Sequence, residues 1–167
     1  MGSLTCRRKL SAPRRRWPPT PAFHTLFERS VRYGDIDAQR HVNNARTFTF
    51  MEQGRVKYLQ HLGLWDGQDF QAIGIILAET GCTYKAPILL NQRLRVGVRT
   101  SQIGTKSIEF SYSIEDAESG QVMATGRTVQ VTYDYKRGVS IRVPEDWRRM
   151  VQAFEASDGS SPVRGGD

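Results

Sequence analysis

Hydrophobic and polar positions change period along this chain, and the longest regular stretch is helical. Between Asn44 and Leu62 the apolar residues Phe48, Met51, Tyr58, Leu59 and Leu62 recur at helical spacings, and strand alternation fits them poorly. Asn43 or Asn44 is a natural N-cap, and Gly63 a natural stop. Gly54 inside this helix costs about 1 kcal/mol relative to alanine, which makes sense where the helix lies directly against a sheet. Glu52 and Arg55, three apart, can pair on one face.

Around this helix the pattern is that of strands. Phe23 to Tyr33 reads as a first strand, broken by the turn residues Gly34-Asp35. Gly63 to Gln71 reads as a loop, Ile73 to Tyr84 as a strand, and Pro87 as an interruption. From Arg93 to Thr100 alternation is clean, with Leu94, Val96 and Val98 on one face and Arg93, Arg95 and Arg99 on the other, most simply a solvated face. Ile108, Phe110, Tyr112 and Ile114 alternate with polar residues, D-A-E-S-G-Q makes a hairpin turn, and Val122 to Tyr135 is a final long strand. Pro144 followed by two acids opens a last helix. One long helix followed by grouped strands predicts an α+β fold, with the helix covering one face of a five-stranded antiparallel sheet.

Charge changes the picture only at one end. The net charge of +7 suggests nucleic acid until it is located: residues 1–27 hold six basic groups and no acid, which leaves 18 basic against 17 acidic groups elsewhere. The basicity therefore belongs to residues 1–22, an Arg- and Pro-rich stretch that reads as a disordered tail; an organelle address is the less favoured reading. No helix-turn-helix or other nucleic-acid motif accompanies it. Residues 23–155 then form a single domain with a C-terminal helix, and 156–167 read as a second tail. No apolar run approaches the roughly 20 residues of a membrane span, so a soluble, cytoplasmic protein is expected. Two cysteines, Cys6 and Cys82, suit a reducing compartment, and three histidines without metal-ligand spacing predict no metal.

The candidate chemistry sits just before the long helix, in Y-G-D-I-D-A-Q-R-H-V-N-N, Tyr33 to Asn44. A helix start presents free N–H groups and the positive end of its dipole. An acid close by adds what acyl transfer needs, a nucleophile or base beside an oxyanion site. This motif, the helix and the four strands after it resemble the hot-dog fold thioesterases of the 4-hydroxybenzoyl-CoA thioesterase-like family, in which a curled antiparallel sheet wraps the long helix. The resemblance covers about Phe23 to Pro144.

The resemblance implies an acyl-CoA or acyl-carrier-protein thioester hydrolase, with no cofactor beyond the CoA of the substrate. Asp37 matches the catalytic acid, the oxyanion contact falls on the amide of Asn44, and His41 and Asn43 take pocket-lining positions. Thr47 stands at the acyl pocket, and Lys106 and Ser107, with Lys85 and Arg127 after them, are the choices for the phosphate end. Homodimers or dimers of dimers are implied. Arg40 stands where a glycine often precedes H-V-N-N. Plain alternatives accompany these roles: Asp37 as a turn acid, Asn43 as a cap only, His41 as a structural histidine. Glu52 is the rival acid, but it lies about 12 Å along the axis from Asn44 at 1.5 Å per residue. Two other functions share the fold: a hydratase or dehydratase using His41 with Asp37, and a non-catalytic acyl-thioester-binding protein.

Overall fold

The structure is a computed structural model that describes residues 23–66, 68 and 74–156. The basic tail lies outside the described residues, as do Cys6, Ile73, where the second strand was expected to begin, and 157–167.

Helix α1 (Asn44–His61) begins and ends where the local chemistry puts it. Asn43 is the N-cap, its side chain accepting from the amide of Ala45 at 2.9 Å. At the other end Gly63 takes φ +67°, so that its N–H reaches Gln60 O at 3.0 Å and that of Leu64 reaches Leu59 O at 2.9 Å, closing a Schellman motif. The face toward the sheet carries Phe50, Met51, Gly54, Tyr58 and Leu59, all buried. Gly54 explains itself: a Cβ there would sit 2.9 Å from a methyl of Val98 and 3.0 Å from one of Val96. Fully buried Phe50, outside the expected stripe, lies under the guanidinium of Arg29 at 4.4 Å.

Strands β1 (His24–Ser30), β2 (Ile75–Tyr84), β3 (Arg93–Ile103), β4 (Ser107–Asp116) and β5 (Val122–Asp134) pair antiparallel in the order β1-β3-β4-β5-β2. A two-residue β6 (Val139–Ser140) adds to β5. The strands before and after α1 thus occupy opposite edges, and the helix must cross the inner face to connect them. Leu94, Val96, Val98, Ile108, Phe110, Tyr112 and Ile114 face it from β3 and β4. β3 outlasts its clean alternation because the register shifts between Thr100 and Gln102, a bulge that changes the phase. Arg93 and Arg95 lie on the outer face and meet Glu28 of β1 at 3.2 and 3.3 Å, as the polar half of the alternation implied.

Burial is uneven across the sheet. On β2, Leu77, Thr80 and Tyr84 are exposed, although their register partners Gln130, Thr128 and Ala124 on β5 are buried. Helix α2 (Glu145–Ala156) packs near β3 and closes the other side, with Val151 buried.

Candidate active site

An isolated bridge between Ile36 and Val42 pinches off the loop Asp37–His41. The loop is held internally: Asp37 N donates to His41 O and Arg40 N to Asp37 O, each at 3.0 Å. Gln39 N donates to Asp37 Oδ1 at 2.8 Å, an Asx turn. So tight a return puts Arg40 at φ +67°, where a residue with a Cβ is strained and glycine is not. Neighbouring segments fix the loop in place, Val42 N donating to Ile88 O at 2.8 Å and Asn43 N to Asp35 O at 2.9 Å. Buried Asp35 anchors the approach by accepting from Arg29 Nη2 at 2.6 Å and Arg32 N at 2.9 Å.

Two groups emerge from this framework unmatched. Ala45 N is taken by the cap and Arg46 N by Asn43 O at 2.9 Å, but none of the hydrogen bonds among the described residues uses the amide of Asn44. Asp37 Oδ2 likewise has no hydrogen bond among the described residues, and the Asp37 side chain is 24% exposed. Both residues line one open cleft of about 810 Å³ with His41, Thr47, Tyr84 and Lys85. A carboxylate and a free helix-start amide on one cleft can attack or deprotonate at a bound carbonyl and hold the oxygen that becomes negative.

The remaining residues divide. His41 Nδ1 is 3.9 Å from Asp37 Oδ1, beyond hydrogen-bond distance. Asn43 is the cap, Thr47 is buried in the wall, and Lys85 stands at the rim. Lys106, Ser107 and Arg127 do not line this cleft. Lys106 Nζ is held by Ser140 O and Oγ, each at 3.1 Å, and Ser107 sits at the start of β4, where its carbonyl accepts from Gly104 N. Arg127 occupies the outward phase of β5, between inward Gly126 and Thr128, and is claimed by Glu79 and by Glu109 at 2.7 Å. Glu52 is also off the cleft, with a 65% exposed side chain 3.9 Å from Arg55.

Sequence reasoning gave Tyr84 no role in the site. Its hydroxyl donates to Asn44 O at 3.1 Å and ties β2 to the helix start. No local signal connects residues 40 positions apart. Burial pushes the thiol of neighbouring Cys82 up from its ordinary range, which keeps it protonated and unsuited to nucleophilic attack. Among the described residues no group of three His, Cys, Asp or Glu is placed to hold a metal ion.

The helix crossing a curled antiparallel sheet, with this motif at its start, is a hot-dog fold, the architecture of thioesterases. The Thioesterase-like superfamily matches residues 31–153, and the chain belongs to it. It is 26% identical over 132 residues to the Bacillus subtilis (strain 168) protein YsmA, covering 79% of this chain and 86% of that one. The long-chain acyl-CoA thioesterase FadM of Escherichia coli (strain K12) is 25% identical over 122 residues, covering 73% and 92%. Among solved structures, a thioesterase from Thermus thermophilus complexed with coenzyme A and Zn superposes with a TM-score of 0.71 at 30% identity, over 80% of this chain and 95% of that one. No helix among the described residues is long and apolar enough to cross a membrane.

Proposed function

We propose that the chain hydrolyses acyl-CoA or acyl-carrier-protein thioesters. The observation that carries this reading is the convergence of an unmatched carboxylate, Asp37, and an unmatched helix-start amide, Asn44, on one cleft. Relatives bearing the names of thioesterases support it at the level of reaction class.

In the proposed reaction the thioester oxygen docks against Asn44 N–H. Asp37 either attacks the carbonyl carbon, expelling thiolate to leave a mixed anhydride that water then opens, or takes a proton from a water that attacks in its place. Either way one water is consumed, the C–S bond breaks, and the acid and thiol leave. No cofactor enters. The negative oxygen forms beside positive N–H dipoles, an interaction usually worth roughly 10²–10³ in rate for one donor. Lys85 at the rim is placed to meet the substrate's phosphates.

A homodimer belongs to this reading. Strand β2 is a ten-residue sheet edge with Ile76 and Leu77 43% and 48% exposed, the kind of edge that seeks a partner. Lys106 and Ser107, remote from the cleft of their own chain, would reach substrate only from a second subunit. Sedimentation of the full chain checks the assembly.

Thiol release from aromatic and aliphatic acyl-CoAs, by wild type and Asp37→Asn, tests the function. Release that collapses in the variant is expected. Equal release in both would move the chemistry to another acid, and hydration of an enoyl-CoA without thiol release would replace hydrolysis by the hydratase reading. Isotope from labelled water appearing in Asp37 itself would exclude the pure general-base route.

A further inference from the structure

Thr47, Met51 and Arg55 stand one helical turn apart in a row on the flank of α1 that faces β5 and the edge strand β2. Thr47 belongs to the cleft already described. Met51 lies against Gly126, so close that a Cβ there would come within 2.6 Å of its sulfur. Arg55 Nη1 donates to Tyr112 Oη at 3.2 Å, which in turn shares a hydrogen bond of 2.8 Å with Thr128 Oγ1. In register with Gly126 and Thr128, strand β2 presents Cys82 and Thr80, and Tyr84 follows beside Ala124. Thr80 and Tyr84 are exposed. The row thus runs from the cleft at Thr47 to Arg55 beside the solvent-exposed Thr80 and Tyr84 of β2, with Met51 and Arg55 themselves buried.

At the far end of this row Arg55 has one hydrogen-bond acceptor among the described residues, Tyr112 Oη. Arg55 is buried, 9% exposed, and its carboxylate neighbour is Glu52, distant at 3.9 Å and mostly in solvent. Arg29, half-buried on the inner side, has Asp35 at 2.6 Å, although its Nε has no acceptor among the described residues. A buried guanidinium with five N–H donors ordinarily has a close anion. Two residues beyond Thr128 on the same face, buried Gln130 has an Nε2 without an acceptor among the described residues.

We propose that Arg55 reads a carboxylate at the far end of the acyl chain, so that the preferred substrates are monothioesters of dicarboxylic acids. The inference rests on the thioesterase reading and names its substrate class. Thr47 and Arg55 are eight residues apart, about 12 Å along the axis, and an arginine side chain leans back toward the helix start, so the acyl chain is of medium length. The incoming carboxylate replaces a weak, solvent-exposed partner with a planar, two-point one.

Thiol release from adipoyl-, suberoyl- and sebacoyl-CoA is compared with hexanoyl-, octanoyl- and decanoyl-CoA, using the full-length protein. At one or more lengths the dicarboxylic member is expected to exceed its plain counterpart at least tenfold in kcat/KM. In Arg55→Gln that ratio is expected to fall at least tenfold, and Arg55→Lys to recover part of it. Preference for the plain member at every length, or a ratio indifferent to Arg55→Gln, overturns the inference. Should Arg55→Gln not fold, Thr80→Glu sets a fixed carboxylate on the exposed strand opposite. Loss of the preference there supports the inference, and an unchanged preference overturns it. Calorimetric binding of the same CoA esters to Asp37→Asn separates the two claims. Tighter, Arg55-dependent binding of the dicarboxylic members without turnover by wild type would discard hydrolysis and keep the inference; equal binding of both members would discard the inference alone.

Discussion

The two ends of helix α1 treat their polar groups in opposite ways. Toward the C-terminal end the polar groups around Tyr58 match one another. Tyr58 Oη donates to Glu155 Oε1 at 2.6 Å and accepts from Thr100 Oγ1 at 3.0 Å. Thr100 N donates to the same carboxylate oxygen at 2.6 Å, and His24 meets the other oxygen at 3.4 Å while stacking on Phe154. Helix α2 brings Glu155 there, so the cluster closes the protein. At the N-terminal end Asp37 and Asn44 line a cleft, and Asn44 N and Asp37 Oδ2 have no hydrogen bond among the described residues. Folding leaves few buried or half-buried polar groups unmatched, because each costs about 1–3 kcal/mol. On the proposed function the open N-terminal end takes the ligand, while the matched end holds the fold.

Substitutions can break this contrast at either end. Asp37→Asn carries the largest expected effect: kcat falls at least about a hundredfold, in the range of losing one key polar group in acyl transfer, in a thiol-release assay. Asparagine keeps an oxygen for Gln39 N, so thermal stability is expected to hold. Next comes Glu155→Gln, which removes the charge that Tyr58, Thr100 and His24 converge on. It is expected to lower stability by about 2 kcal/mol in denaturant titration with turnover little changed.

Gly54→Ala is smaller, a loss of about 1 kcal/mol, because crowding against Val96 and Val98 outweighs the gain in helix propensity. Combined with Val98→Ala, its cost should be less than additive. The smallest effect appears only in alkali. Burial, with help from Glu155, raises the Tyr58 phenol above its ordinary value of 10.0. Its proton is thus bound more tightly folded than unfolded, and the stability it contributes is complete below pH 10 and declines above it. Tyr58→Phe should flatten that decline in unfolding measured across alkaline pH.

What was legible in the sequence was local. Asp37, Asn43, Asn44 and the start of α1 lie within eight residues of one another, so cap chemistry and motif spacing suffice to place them. Gly54 was legible too, since a helix-interior glycine needs a close neighbour to justify it. What failed depended on which elements become neighbours. Phe50 escaped the expected stripe because α1 is wrapped by a curved sheet and buries more than one side. Arg55 read as a partner for Glu52, which it meets at 3.9 Å, but its burial against Tyr112, 57 positions away, was not legible. Arg127 could have been assigned outward from its alternation with Thr128 and Gln130, but its ion pairs with Glu79 and Glu109 required knowing that β2 and β4 flank β5. Tyr84 joined the site for the same reason, β2 having crossed to the far edge of the sheet.

The most direct test of the contrast measures thiol release and melting temperature together in Asp37→Asn and Glu155→Gln. The account predicts a crossed result: Asp37→Asn loses activity by at least about a hundredfold and keeps its melting temperature, while Glu155→Gln melts several degrees lower and keeps its activity. If Asp37→Asn instead turns over normally, or loses activity only because it unfolds, the N-terminal end of α1 is not the catalytic one.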